Sequence, residues 1–172
     1  MEELYKATLS TPLGKMEAIC NDAALLYLNF TDNSKRESML KGRFEDLPEV
    51  EEKHHILTGL QKELDAYFDG ELRSFSTPIK ASGSPFQEKV WAALLQVPYG
   101  EKRSYMDQSK ILGDPKAIRA VAKANGDNPI AILIPCHRIL GSNGEMTGYS
   151  GGLHRKTALL ELENPDQLKI LF

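Results

Sequence analysis

The run Pro135-Cys136-His137-Arg138 places a thiol, an imidazole and a guanidinium next to one another in the chain. Cysteine reacts as its thiolate, and an unperturbed thiol, with a pKa of about 8.5, is only slightly ionised near neutral pH. His137 and Arg138 are groups that take up the thiol proton or supply positive charge. The run therefore suggests an activated nucleophile, whereas an arbitrary cysteine is more often a small buried apolar residue.

The elements predicted around Cys136 suit this role. The apolar run 130–134 predicts a core strand that ends just before the cysteine. Upstream, Ser84-Pro85-Phe86-Gln87 has the capping residue, first-turn proline and capping-box glutamine of a helix start. Further helix starts at Ser104 and Asp114, on either side of Gly113, predict two short helices in a helix-turn-helix arrangement.

The second short helix combines cations with small residues. Helical spacing divides it into an inward side, a cationic side and a low-relief side, formed respectively by Ile118, Val121 and Ala122, by Lys116, Arg119 and Lys123, and by Ala117, Ala120 and Ala124. This pattern suits contact with a nucleic-acid groove, although a solvated basic surface has the same pattern.

The first half of the chain predicts a small sheet followed by a helix. Apolar segments within residues 5–30 alternate with turns, which indicates a three-stranded antiparallel meander. Residues 34–44 have some helical character, and apolar residues at i+4 spacing predict a helix from His55 to Phe68. The Ser-, Thr-, Pro- and Gly-rich segment 73–84 has the composition of a linker.

We therefore expect an α/β (α+β) fold with two domains. Residues 1–79 form the small N-terminal antiparallel-sheet domain, and residues 80–172 form a mainly helical C-terminal domain with a winged-helix-like helix-turn-helix. The first range holds 9 Lys and Arg against 15 Asp and Glu, a net charge of −6, and the second holds 12 against 9, a net charge of +3. A basic second half fits contact with phosphate, within ordinary surface variation.

Composition places the chain among soluble globular proteins. Of its 172 residues, 41% are hydrophobic and 26% are charged, and no run approaches the ~20 apolar residues of a membrane span. The acidic start Met1-Glu2-Glu3 lacks the layout of a signal peptide, so we expect a cytoplasmic protein. In that reducing compartment, Cys20 and Cys136 are expected to be free thiols.

Several motifs follow one another in an order and spacing typical of one family. They are Pro85-Phe86-Gln87, Val90-Trp91, Val97-Pro98-Tyr99-Gly100, Ser104-Tyr105, Ala117-Ile118-Arg119-Ala120-Val121, Asn128-Pro129, Ile134-Pro135-Cys136-His137-Arg138-Ile139, Gly148-Tyr149-Ser150-Gly151-Gly152-Leu153 and Glu163. With them, residues 84–163 resemble the O6-alkylguanine-DNA alkyltransferases, or methylated-DNA–protein-cysteine methyltransferases. The N-terminal half resembles that family in layout alone.

The resemblance implies a reaction that consumes the protein. Cys136 attacks the alkyl carbon on guanine O6, guanine leaves, and S-alkylcysteine is the irreversible product. His137, oriented by Glu163, takes the thiol proton through a water, as expected of an activated nucleophile. No cofactor is implied.

The resemblance also assigns a pocket for the base. The Tyr105 hydroxyl donates to purine N3, the Ser150 backbone N–H approaches O6, and both stabilise charge on the departing base. The carbonyl groups of Cys136 and Ile139 accept hydrogen bonds from the exocyclic amine, and Tyr149 walls the pocket.

The implied partner is double-stranded DNA that contains O6-alkylguanine, with O4-alkylthymine as a second candidate substrate. A base inside a duplex is out of reach, so the target nucleotide is flipped out. Arg119 fills the vacated stack and Tyr105 presses on the 3′ phosphate, while the helix that carries Lys116, Ala117, Ala120 and Lys123 enters the minor groove. Asn128 corresponds to the family's hinge asparagine.

Two features separate the chain from parts of the family. Ala131 stands where some relatives have a second proline. Some members hold a structural zinc, for which Cys20, His54 and His55 are the local candidates here. We expect no metal, no membrane partner and a monomer.

Two other functions remain open on the residues. A non-catalytic protein that binds alkylated DNA fits the basic helix, although such relatives lack the nucleophile. A cysteine hydrolase that turns over fits Cys136, His137 and Glu163 equally well by residue type, but gives Arg119 no role.

Overall fold

A computed structural model describes residues 2–49 and 54–166. Its elements are β1 (Tyr5–Thr11), β2 (Gly14–Cys20), β3 (Leu25–Phe30), α1 (Arg36–Leu40), α2 (His55–Phe68), α3 (Pro85–Leu94), β4 (Arg103–Ser104), α4 (Tyr105–Ile111), α5 (Ile118–Gly126), β5 (Ile139–Leu140) and α6 (Leu153–Glu163). Strands β1, β2 and β3 form the antiparallel sheet that the sequence predicts. The parallel pair β4–β5 was not predicted, because two-residue strands leave no periodic pattern.

The helix starts follow the predicted capping chemistry. Ser84 and Ser104 each accept a hydrogen bond from the backbone N–H three residues on, and each forms a full capping box, with Gln87 and Asp107 respectively. A 3₁₀ turn, Pro115–Ala117, precedes α5. The predicted helical character of residues 34–44 narrows to α1, after which Gly42 takes a φ of 78°.

The main hydrophobic core draws on both halves of the chain. At its centre, the Leu28 N–H donates to the Pro129 carbonyl and the Ala131 N–H donates to the Leu28 carbonyl, each at 2.8 Å. The segment before the candidate nucleophile is thereby fastened to strand β3 of the N-terminal sheet.

The prediction of a strand over residues 130–134 is wrong. Ile130 forms an isolated bridge to Leu28, and the chain then turns, with Ile132 at a φ of 72°. Asn128 closes this turn, because its side chain accepts from the Ile130 N–H at 3.0 Å and donates to the Ile134 carbonyl at 2.8 Å. A buried apolar run has no periodicity that distinguishes strand from turn, so the sequence could not show this.

The inward side of α5 is rotated from the prediction. Val121 and Ala124 are buried, whereas Ala122 is half-buried. The Ala124 carbonyl accepts a hydrogen bond from Trp91 Nε1 at 2.8 Å, which fixes the packing of α5 on α3. Ala124 is therefore not part of the low-relief surface. Within residues 2–49 and 54–166, no helix has the length and apolar character needed to cross a membrane.

Candidate active site

Four of the predicted site residues line one cavity of about 300 Å³: Tyr105, Cys136, Tyr149 and Ser150. Residues of α5 and of the turn after β3 complete its wall, namely Ser34, Lys35, Ala122, Asn125 and Gly126, together with Gly148. The cavity therefore forms between the two halves of the chain. Ile139 is not among the lining residues and is fully buried in β5.

Cys136 begins the 3₁₀ turn Cys136–Arg138, and its thiol is held by Asn128. The Asn128 Nδ2 atom lies 3.2 Å from Sγ, so Asn128 contacts the candidate nucleophile as well as bracing its turn. Burial raises the pKa of Cys136, against the smaller opposing effects of the Asn128 hydrogen bond and the Lys156 charge. The thiol is thus protonated at neutral pH, and its reaction needs a proton acceptor.

The sequence suggested that Arg138 supplies positive charge to the Cys136 thiol. In the structure, its guanidinium is bound to other groups instead. Its guanidinium donates to both carboxylate oxygens of Glu163, at 2.8 and 2.9 Å, and to the Val97 carbonyl at 2.7 Å. Tyr67 of α2 donates to the same carboxylate at 2.6 Å. Burial raises the pKa of Glu163, but the hydrogen bonds and charges of His137 and Arg138 outweigh it and leave the pKa lowered. Glu163 is therefore ionised, and its carboxylate is held in place by Arg138, Tyr67 and His137.

His137 is placed as a neutral base. Its Nε2 atom lies 2.8 Å from Glu163 Oε2, and its buried Nδ1 atom has no hydrogen-bond partner among the described residues. Burial lowers the pKa of His137, although Glu163 opposes this. With the proton on Nε2 donated to Glu163, Nδ1 is the nitrogen with a lone pair. That nitrogen is available to receive a proton.

Tyr105 reaches the cavity from the first turn of α4. Its hydroxyl donates to the Thr147 carbonyl at 2.9 Å. The Lys156 ammonium donates to the same carbonyl at 3.0 Å and to the Gly148 carbonyl at 3.3 Å. Gly148 has a φ of 64°, a conformation that favours glycine, where the loop passes Tyr105.

Sequence reasoning missed Lys156, which is fully buried beside the site. Burial lowers its pKa to about 8, against the opposing charge of Cys136. A signal was present, since Lys156 precedes the buried residues Leu159, Leu160 and Glu163 by three, four and seven positions. A lysine on the apolar side of a helix indicates a buried ammonium. Tyr67, also missed, resembles an ordinary core residue in the sequence.

Apart from Tyr105, the predicted DNA-binding residues lie on α5 and the 3₁₀ turn before it, and most of them are exposed. Lys116, Arg119, Ala120 and Lys123 are exposed, and Ala117 is half-buried. Lys123 pairs with Asp127 at 3.0 Å across one turn of α5. Among the described residues, no cluster of three or more His, Cys, Asp and Glu side chains is arranged to hold a metal ion.

Family models and individual relatives both match this chain to the same family of methyltransferases. Residues 85–165 match the model described as the DNA binding domain of 6-O-methylguanine DNA methyltransferase, and residues 4–81 match the model of its ribonuclease-like domain. A methylated-DNA–protein-cysteine methyltransferase of Methanosarcina acetivorans is 41% identical over 160 residues, which cover 93% of this chain and 98% of the relative. One of Mycobacterium leprae is 41% identical over 168 residues, which cover 98% and 97%.

Comparison with solved structures leads to the same family. The crystal structure of Mycobacterium tuberculosis OGT in complex with DNA has 38% sequence identity and a TM-score of 0.81, and the match covers 98% of this chain and 99% of that one. Identity at this level over nearly the full length of the relatives shows that the chain belongs to the 6-O-methylguanine DNA methyltransferase family.

Proposed function

We propose that the protein repairs O6-alkylguanine in duplex DNA by moving the alkyl group to Cys136, once and irreversibly. The observation that carries this proposal is the thiol of Cys136 on the wall of a cavity, held by Asn128, next in sequence to the His137–Glu163 pair. The curated relatives are named for transfer from methylated DNA to a protein cysteine.

In the proposed reaction, Sγ of Cys136 forms a bond to the alkyl carbon as the bond from that carbon to guanine O6 breaks. The electron pair of the broken bond stays on guanine. The thiol proton passes through a water to Nδ1 of His137, and Glu163 stabilises the imidazolium that results. The low pKa of Glu163 and the neutral state of His137 both support this direction of proton transfer.

The departing guanine needs hydrogen-bond donors. We assign the Tyr105 hydroxyl to N3 and the Ser150 N–H to O6, and Tyr105 exchanges its bond to Thr147 for the base. Tyr149 walls the cavity, and the carbonyl groups of Cys136 and Ile139 accept from the exocyclic amine. The Ile139 side chain is not among those that line the cavity, so its proposed role rests on its backbone carbonyl.

The DNA-binding surface in this proposal is helix α5 with the turn before it. Arg119 fills the stack that the flipped nucleotide leaves, Tyr105 presses on its 3′ phosphate, and the small Ala117 and Ala120 allow close approach to the minor groove. Lys116 and Lys123 supply phosphate contacts. The exposure of Arg119, Lys116 and Lys123 supports this assignment.

The proposal includes several further expectations. The protein acts as a cytoplasmic monomer without cofactor or metal, and O4-alkylthymine is a second candidate substrate. We also propose the division into residues 1–79 and 80–172.

The placement of Cys136 on the cavity wall argues against a non-catalytic role in damage recognition. Membership of the methyltransferase family argues against a cysteine hydrolase.

The test is to incubate the protein with a duplex that contains O6-methylguanine and to map the product by intact mass and peptide analysis. We expect one methyl group on Cys136, and a Cys136→Ala variant that binds the duplex without gaining mass. Methyl transfer by Cys136→Ala would refute the assignment.

A further inference from the structure

The turn that follows β3 belongs to the N-terminal half, yet it holds the pocket loop. The Asn33 Nδ2 atom donates to the Ser150 hydroxyl oxygen at 3.0 Å. The Ser34 N–H and hydroxyl both donate to the Ser150 carbonyl, at 3.1 and 3.2 Å. Ser150 is thus held by hydrogen bonds from two residues more than a hundred positions away in the chain.

Asn33 is itself fixed within the fold. It is 6% exposed, its side-chain oxygen accepts from the Lys35 N–H at 2.8 Å, and its Nδ2 atom also lies 3.2 Å from Asn29 Oδ1. Asn29, 2% exposed, donates to the Asn128 carbonyl at 3.3 Å. Since Asn128 also contacts the Cys136 thiol, a chain of buried amides joins the two sides of the cavity.

These hydrogen bonds engage the hydroxyl oxygen and the carbonyl oxygen of Ser150 but do not involve its backbone N–H. Its hydroxyl and carbonyl oxygens accept from the turn, while its backbone N–H donates to no residue that the structure describes. Ser150 lines the cavity, so this N–H is available to a ligand there. A donor of this kind stabilises developing charge well when its position is fixed before the reaction.

We propose that Asn33 is a positioning residue for alkyl transfer, which acts by holding Ser150 so that its N–H meets the guanine oxygen as the base departs. This inference rests on the proposed function and extends it. It gives the N-terminal half a part in the reaction, because the residue that fixes the donor follows strand β3. Asn33 does not touch the substrate in this account.

The test is the single-turnover rate of methyl transfer at saturating duplex for the wild-type protein and Asn33→Ala. A misplaced donor typically costs about 10- to 100-fold in rate, and we expect a fall in that range. Duplex affinity and the acid limb of the pH–rate profile should stay as in the wild type, because neither DNA docking nor the His137 base involves Asn33. A variant that merely loses structure would be affected in its duplex affinity and its pH–rate profile as well as in its transfer rate.

Asn21→Ala is the matched control. Asn21 also accepts two backbone hydrogen bonds, from the Ala23 and Ala24 N–H groups, but it lies in the turn between β2 and β3 and outside the cavity lining. Its loss should lower thermal stability and leave the transfer rate of the folded protein unchanged.

Ser150→Ala keeps the backbone N–H and removes the other partner of the Asn33 bond, so it tests the same contact if Asn33→Ala fails to fold. We expect Ser150→Ala to slow transfer, and the double variant to be no slower than the more affected single variant, because both changes break one interaction. Wild-type rates in Asn33→Ala and Ser150→Ala, or fully additive effects, would overturn the inference. A wild-type protein that transfers no methyl group would overturn the proposed function instead.

Discussion

In the proposed mechanism, the reaction of Cys136 depends on moving a proton rather than on a thiolate formed in advance. Burial keeps the thiol protonated, and burial keeps His137 neutral. The family motifs predicted that Glu163 orients His137, and the structure brings these two side chains within 2.8 Å of each other. The partners of Arg138 were not predictable, since chain neighbours point in different directions once a 3₁₀ turn forms. Lys156 was overlooked, although its spacing to the buried residues of α6 was visible in the sequence.

The lowered pKa of His137 predicts the acid limb of the reaction. A base is active when unprotonated, so the midpoint of the acid fall in transfer rate should lie below 6.5, the ordinary pKa of histidine. Glu163 raises the pKa of His137, so Glu163→Gln should move this limb to lower pH as well as slow transfer. Single-turnover rates between pH 5 and 8 measure this. An acid limb centred above 6.5 would show that His137 is not the base.

The charge of Lys156 lowers the pKa of Cys136, so its removal should raise that pKa further. We expect iodoacetamide to alkylate Cys136 more slowly in Lys156→Met than in the wild type at pH 7, where Lys156 is charged, with peptide mass used to exclude Cys20. Lys123→Met removes an exposed cation and is the control. An unchanged alkylation rate in Lys156→Met would mean that the buried ammonium has no effect on the thiol.

At the scale of elements, the parts with side-chain signals were predictable and the parts that depend on tertiary contacts were not. Capping boxes at Ser84 and Ser104 mark helix starts within the sequence itself. The turn at 130–134 is closed by Asn128 and fastened to Leu28, which lies about a hundred residues earlier in the chain. No local pattern contains that information.

A variant of exposed Arg119 on helix α5 separates nucleotide flipping from alkyl transfer. Arg119 is exposed, so Arg119→Ala should change the free energy of unfolding by less than about 0.5 kcal/mol. Transfer from duplex DNA should slow, because the vacated stack stays unfilled, whereas transfer from a free O6-alkylguanine base should not change. Lys62→Ala, an exposed change on α2, should leave both rates as they are. Equal losses on duplex and free base would contradict the flipping role.

The whole molecule is held together across the middle of the chain. Tyr67 and Glu163 meet from opposite halves, and Arg155 at the start of α6 donates to the Leu13 carbonyl and pairs with Asp32. The layout of each half, including the charge difference between them, was predictable from the sequence. The contacts that join the halves were not, because these pair residues about 90 to 140 positions apart.

The Tyr67 hydroxyl should therefore contribute to stability. Its bond to a buried carboxylate predicts that Tyr67→Phe lowers the free energy of unfolding by about 1.5–3 kcal/mol. Tyr27→Phe is a close control, since the Tyr27 hydroxyl is equally buried and has no hydrogen-bond partner among the described residues. Urea unfolding of both variants measures the difference, and equal effects would show that the Tyr67–Glu163 bond adds nothing.

If Cys136 is consumed once, a titration with damaged DNA must show it. A fixed amount of protein is incubated with increasing amounts of duplex that contains O6-methylguanine, and the guanine restored in the DNA is counted. We expect a plateau at one restored guanine per protein molecule, with a matching loss of free Cys136 thiol. Repair that continues past one equivalent, or a plateau with the Cys136 thiol still free, would contradict it.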